Sequence, residues 1–267
     1  MQQVGVRLLP EYFESEQGRK IAFHKTEGQG PGVVFLGGFK SDMAGTKAMF
    51  LQDWAARTDR AFLRFDYSGH GQSSGLFEEG CIGEWTGDAQ AIISAYTDGP
   101  QILVGSSMGG WIALLVARAV PEKVAGLVGI AAAPDFTEDS MWASFSDGQK
   151  AALARDGRIE LPSDYSDDPY IITERLIAEG RDQLVLREQL NLPFPTRFLQ
   201  GTADEDVDVS VAMRLLDRAS GPDIRLTLVK DADHRFSAPS ELRLIQMAIH
   251  SVTMGHAAIS DPAKTPN

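Results

Sequence analysis

The chain reads as an α/β fold: a mostly parallel central sheet, flanked by helices, with a small cap insertion. Three observations predict it. Short apolar runs without polar alternation, such as Val33-Val34-Phe35-Leu36 and Gln101-Ile102-Leu103-Val104, suit strands buried on both faces. These runs alternate with segments of helical periodicity, the pattern of a parallel sheet joined by crossover helices. The alternation stops at residues 137–193, which are polar, acidic and irregular, and then resumes.

The elements follow in order. Residues 12–15 and 21–24 form a hairpin around the turn Gln17-Gly18. Gly28-Gln29-Gly30-Pro31-Gly32 is a loop, 33–36 a strand ending in Gly37-Gly38, and 46–57 a helix. The strand at 61–65 runs into the turn-rich Asp66-Tyr67-Ser68-Gly69-His70-Gly71, and a helix covers 82–96. A strand at 101–105 precedes a helix reaching Ala119, whose apolar positions are Ile112, Leu115 and Val116. A glycine-containing apolar stretch at 124–132 is another strand. After an insertion with two or three short helical stretches come a strand at 196–199, a helix at 210–218, a strand at 224–229 and a helix at 239–254. The expected domains are a core of 1–136 and 194–254, a cap of 137–193 lying over the C-terminal edge of the sheet, and a flexible tail of 255–267.

Composition excludes several functions. The 267 residues allow one large α/β domain, and a net charge of −12 argues against broad binding of nucleic acid or anionic membranes. The one cysteine, Cys81, rules out an intrachain disulfide. No apolar stretch is long enough to span a membrane, and the N-terminal residues carry neither a secretion signal nor a good transit peptide, since Arg7 is followed by Glu11, Glu14 and Glu16. A cytoplasmic protein, monomeric or homodimeric, is expected.

Gly105-Ser106-Ser107-Met108-Gly109 carries the chemistry. Between a strand and a helix, G-x-S-x-G forces its serine into a tight turn that lifts Oγ above the sheet. A serine hydroxyl needs a base, and the base needs an orienting acid; where G-x-S-x-G joins a strand to a helix, the three follow along the chain as serine, acid, histidine. Of the five histidines, His24 and His70 precede the serine, His250 lies on the polar side of the last helix, and His256 is in the tail. His234, in the loop after the strand at 224–229, remains as the base. The acid belongs after the preceding strand, where Asp204 is favoured. Asp206 and Asp135 are alternatives, and Glu205 and Asp208 read as solvated charges. The backbone N–H groups of Phe39, after Gly37-Gly38, and of Met108 are the expected donors to an oxyanion.

Other signals are weak. Gly69, Gly71 and Gly75 lack the dinucleotide-binding spacing, and no P-loop, H-E-x-x-H or Cys/His ligand set is present. Neither cofactor nor metal is expected. Asp164, Asp167 and Asp168, near Tyr165 and Tyr170, lack EF-hand spacing and read as a solvated loop.

The motifs together resemble the α/β-hydrolase superfamily over almost the whole chain outside the insertion and tail. A narrower likeness rests on four strings: 38–48 (GFKSDMAGTKA), 64–71 (RFDYSGHG), 105–111 (GSSMGGW) and 233–235 (DHR). They resemble the subfamily of the "α/β-hydrolase domain-containing protein ten" type, described as palmitoyl-protein thioesterases and acyl-glucuronide esterases. The resemblance implies Ser107 as nucleophile, Asp204 as acid and His234 as base. Gly37 stands where many hydrolases have a histidine, and the mitochondrial targeting of the animal proteins is not apparent.

The expected activity is that of a serine hydrolase cleaving esters or thioesters of a small-molecule or acylated substrate through an acyl-enzyme. Met141, Trp142 and Phe145 are expected to contact substrate, with Ile171, Ile172, Leu176 and Leu184 as further apolar candidates. The alternatives are a ligand receptor on a hydrolase scaffold, or another chemistry on the same fold such as a peptidase or C–C hydrolase.

Overall fold

The computed structural model describes residues 9–162 and 169–260. In chain order its elements are β1 (Glu11–Glu14), β2 (Lys20–Thr26), β3 (Gln29–Leu36), α1 (Thr46–Arg57), β4 (Arg60–Phe65), α2 (Ile82–Tyr96), β5 (Gln101–Ser106), α3 (Met108–Ala119) and β6 (Val124–Ile130). Then come α4 (Asp147–Asp156), β7 (Arg158–Leu161), β8 (Tyr170–Thr173), α5 (Glu174–Gly180), β9 (Leu190–Asn191), β10 (Thr196–Gly201), α6 (Val209–Arg218), β11 (Ala219–Ser220), β12 (Ile224–Val229) and α7 (Pro239–Ser260).

An eight-stranded sheet in the order β1-β2-β4-β3-β5-β6-β10-β12 organises the chain. β1, β2 and β4 pair antiparallel, and all pairs from β4 to β12 are parallel. The period-two alternation of a strand sends successive side chains to opposite faces. Val34, Leu36, Leu63, Phe65 and Leu103 therefore meet Trp85, Ile92 and Trp111 of α2 and α3 on one face. Val33, Phe35, Phe62, Ile102 and Val104 meet Leu51 of α1 and Ile245, Ile249 and Val252 of α7 on the other. Burial on both faces explains why these strands read as unbroken apolar runs.

Three expectations are corrected. β3 begins at Gln29 instead of residue 33, because Gln29 pairs with Arg60 across an irregularity and its amide bonds to Asp59. Pairing with a neighbour overrides the loop-like Gly-Pro composition. The cap contains an antiparallel hairpin, β7–β8, whose buried Ile159 and Ile172 face each other across strands too short to show a period. The last helix continues to Ser260, so 255–260 are no tail and His256 is helical. Gly255 there packs on Pro195, where a Cβ would lie 2.8 Å from Cγ, and a helical glycine costs only about 1 kcal/mol. Asp164, Tyr165, Asp167, Asp168 and residues 261–267 lie outside the described residues.

Bonds to three core helices strap the cap down. Trp111 Nε1 donates to the Gln183 carbonyl, the Gly83 amide to Glu179, and Arg214 Nη1 to Asp139. Asp135, fully buried at φ 59°, accepts from the Val185 and Leu186 amides at 2.8 and 3.0 Å and from Arg187 at 3.2 Å. Among the described residues no helix is long and apolar enough to cross a membrane.

Asp135 fastens the end of the cap to the end of β6, and its removal leaves two buried amides without acceptors. Asp135→Ala is expected to lower unfolding stability by about 3 kcal/mol. Urea denaturation beside the wild type measures it, and a loss under about 1 kcal/mol contradicts this role.

Candidate active site

The site begins with a steric constraint. Ser107 sits between β5 and α3 at φ 54°, ψ −121°, a conformation that non-glycine residues avoid. Its backbone is pinned on both sides. The Ser107 amide donates to Ile130, and its carbonyl accepts from the amides of Gly110 and Ala133. The flanking glycines are required by close approach: a Cβ on Gly105 would lie 2.2 Å from the Gly109 carbonyl oxygen, and one on Gly109 would lie 2.1 Å from that of Leu36. This contact between α3 and the end of β3 brings Gly38 beside Ser107, where its Cβ would be 3.4 Å from the serine Cβ.

The loops after β10 and β12 deliver the other two groups. His234 Nε2 lies 3.0 Å from Ser107 Oγ, and Nδ1 lies 3.1 and 3.0 Å from the two carboxylate oxygens of Asp204. The Asp204 side chain is wholly buried and that of His234 is 17% exposed. Asp204 also accepts from the amides of Asp206 and Val207 and from Gln200 Nε2. Burial alone would push its carboxyl up. The bonds from His234, Val207 and Gln200, with the charge attraction of His234, outweigh it and hold the group below the usual carboxylate range.

Of the alternative acids, Asp206 is exposed on the same loop and meets Asp204 through its amide, while Asp135 is engaged with the cap. His24 lies on β2, and His250 and His256 lie on α7. Asp204, Asp206 and His234 place possible metal-ligand atoms within 4.8 Å of one another. A cation there would have to displace the His234–Asp204 bonds.

The expected oxyanion donors flank the serine. Met108 opens α3, so its N–H has no intrahelical acceptor. Phe39 lies on the loop beside Gly38, and among the described residues its amide is not engaged by the backbone. The next amide along that loop, Lys40 N–H, donates to His70 Nε2 at 3.3 Å. His70 Nδ1 faces the Ser68 carbonyl at 3.2 Å, which assigns the ring proton to Nδ1 and leaves Nε2 as an acceptor. The ring is buried among Tyr67, Phe77 and Trp85, and burial drives it down to about 4.

A cavity of about 610 Å³ opens onto Ser107 and His234. Phe39, Phe136, Met141 and Tyr170 form its apolar wall, and Lys40, Asp42, Lys47, Asp206 and Arg235 supply charged groups. Met141 lines it. Trp142 and Phe145 do not: the Trp142 ring is covered by Lys150 and Arg181, and Phe145 is buried in the core. Ile172 and Leu176 are likewise packing residues. Sequence reasoning missed Phe136, Gln200 and the position of His70. The string Arg64-Phe65-Asp66-Tyr67-Ser68-Gly69-His70-Gly71 was the available signal for the last.

Comparison with known proteins places the chain in a family. The profile of the family described as "Serine aminopeptidase, S33" covers residues 32–174. The human protein "Palmitoyl-protein thioesterase ABHD10, mitochondrial" is 36% identical over 230 residues, 86% of this chain and 75% of that one. The chain belongs to the α/β-hydrolase family. Among solved structures, a putative hydrolase from Agrobacterium vitis S4 superposes with a TM-score of 0.88 at 37% identity, covering 92% of this chain and 100% of that one. Mouse α/β-hydrolase domain-containing protein 10 superposes with a TM-score of 0.83 at 32% identity, covering 91% and 97%.

The buried neutral His70 carries a pH signature with a definite sign. Between about pH 6.5 and 4 the unfolded chain binds a proton at this residue and the folded protein does not. Stability contributed by His70 therefore falls as the pH drops through that window, by about 3 kcal/mol in total. Denaturant midpoints of the wild type and His70→Gln at pH 7.5 and 4.5 measure it. The wild type should lose more stability on acidification than the variant; equal losses contradict a neutral buried imidazole.

Proposed function

We propose that Ser107, His234 and Asp204 act as a catalytic triad that hydrolyses thioesters or esters of apolar acyl groups. The carrying observation is the continuous relay from Ser107 Oγ through the His234 ring to a buried, ionised Asp204. As an α/β hydrolase, the chain acts on thioesters or esters, and the named activity of its 36% identical relatives, palmitoyl-protein thioesterase, supports the thioester.

The chemistry follows from the geometry. Asp204 accepts a hydrogen bond from the Nδ1–H of His234, which leaves Nε2 free to take the Ser107 proton. Oγ attacks the acyl carbon, and the N–H groups of Phe39 and Met108 stabilise the negative oxygen of the tetrahedral intermediate. Its collapse breaks the bond to the leaving thiolate or alkoxide, which takes the proton from His234. The acyl group stays on Ser107. His234 then deprotonates a water, the same donors hold the second intermediate, and Ser107 recovers its proton as the acid departs. The wall of Phe39, Phe136, Met141 and Tyr170 suits the acyl chain.

A fluorophosphonate is expected to add once to the wild type and not to Ser107→Ala, as read by intact-protein mass spectrometry. No adduct on folded wild type removes the hydrolase reading in favour of a ligand receptor. Asp204→Asn should lower kcat by about 10³- to 10⁴-fold. Across a series of acyl thioesters, kcat/KM should rise by about 3- to 4-fold per methylene until the cavity is filled. A flat series counts against an acyl-binding wall.

A further inference from the structure

The string Ser41-Asp42-Met43-Ala44-Gly45-Thr46-Lys47-Ala48 is not used by the mechanism above. Half of it is architectural. The Met43 amide donates to Asp66 Oδ1 at 2.6 Å, its carbonyl accepts from Arg64 Nη1 at 2.6 Å, and Asp42 Oδ1 accepts from the Ala44 amide at 2.8 Å. These bonds fix the entry to α1. Lys47 is different. It stands in the first turn of α1, where a cation opposes the helix dipole and no acidic neighbour in that turn offsets it. Local preference therefore does not account for it.

Tertiary structure does. Lys47 Nζ crosses to the loop between β12 and α7 and donates to the carbonyl oxygen of Arg235 at 2.5 Å. Arg235 directly follows His234. The side chain forms part of the cavity wall with Ser107 and His234. This loop needs external support. Asp231 and Phe236 both adopt the left-handed region, at φ 62° and 48°, and such conformations persist only where surroundings over-determine them. The flanks are tied locally. The Asp231 amide donates to Thr202 Oγ1, the Phe236 amide to Asp233, and the Ala238 amide to Glu241. Between those ties, the Arg235 carbonyl accepts from Ser237 Oγ and from Lys47. Lys47 thereby couples the histidine loop to the helix that follows the Phe39 loop.

We infer that Lys47 is a positioning residue whose charge-assisted bond to the Arg235 carbonyl keeps His234 Nε2 over Ser107 Oγ. The inference rests on His234 being the base. A bond from an ammonium is roughly twice as strong as one from a neutral donor, so the tie loosens when the amine loses its proton. Asp233 and Arg235 on the loop and Glu241 on α7 are the charged groups that face it. Burial brings the amine down to about 8, with Asp233 and Glu241 opposing the fall and Arg235 adding to it. Hydrolysis should accordingly weaken on the alkaline side with a midpoint near 8.

The test compares Lys47→Met and Lys47→Arg with the wild type, using kcat and KM on one thioester from pH 6 to 10 and the melting temperature of each. Lys47→Met should lose about 10-fold or more in kcat at little changed KM, because small misplacements of a reacting group are costly. Lys47→Arg, charged throughout, should recover most of kcat and lack the limb near 8. A second readout needs no turnover: the downfield proton resonance of the His234 Nδ1–H···Asp204 bond. It should broaden in the wild type as pH passes 8, stay sharp in Lys47→Arg and be broad in Lys47→Met. The inference is overturned by full kcat in Lys47→Met, by a limb near 8 that persists in Lys47→Arg, or by a resonance with the same pH course in all three. Failure of the hydrolase reading would leave the resonance to decide. If Lys47→Met does not fold, Lys47→Arg carries both readouts.

Discussion

Everything at the site depends on one crossing of backbone. β5 turns into α3 at Ser107, and it does so against the end of β3 with no room for side chains at Gly105 or Gly109. A serine at φ 54° is costly, by about 1–3 kcal/mol, and here its own amide and carbonyl are both bonded to the neighbouring β6 and its exit. The strain is thus carried by the sheet. The same crossing sets two further distances at once. It presses the Gly37-Gly38 loop against the serine, and it starts α3 at Met108, directly after Ser107, where the amide has no intrahelical acceptor. The proposed nucleophile and the proposed oxyanion donors consequently belong to one contact.

The charged partners are assembled on a different principle. Asp204 has no exposed side-chain surface, yet it stays ionised because it accepts bonds from two amides, Gln200 and His234. Desolvation would otherwise neutralise it and release its hold on the ring. Gln200 contributes a tether of its own, since its Nε2 also reaches the Val207 carbonyl and closes the loop that carries the acid. His70 works the other way. Burial keeps it neutral, and only a neutral ring with its proton on Nδ1 can accept the Lys40 amide. One loop therefore relies on a charge that is retained, the other on a charge that is refused.

How much of this was legible in the sequence follows from where each signal resides. The limits of α1 and α2 and the strands at 33–36, 61–65 and 101–105 were readable because double-sided burial writes itself as unbroken apolar runs between periodic helices. Ser107, His234 and Asp204 were readable because chain order and strand ends constrain them. The illegible parts are those decided by partners distant in the chain. Gln29 becomes a strand residue only through Arg60 and Asp59, and Gly255 stays helical because it packs on Pro195. Phe145 and Trp142 look like Met141 in sequence. They differ in what the fold puts over them, a core in one case and two cations in the other.

The cap shows how that distinction shapes the cavity. Its aromatic and aliphatic residues divide between packing into the core, as Phe145, Ile172 and Leu176 do, and facing the serine, and polar groups add to the anchoring. Asp135, Asp139 and Glu179 each reach across to backbone or arginine partners, which fixes the cap by directional bonds along its edges. That leaves Phe136, Met141 and Tyr170 free to line the wall above Phe39, whose ring they or their neighbours meet edge-on or tilted. Phe39 belongs to both halves of the site. In the proposed mechanism its amide is a donor to the oxyanion, while its ring lines the apolar wall of the cavity. A change in how an acyl group packs on that ring would be transmitted through one residue to the donor that stabilises its carbonyl. On the proposed mechanism, recognition of the chain and activation of the carbonyl are coupled through the single residue Phe39.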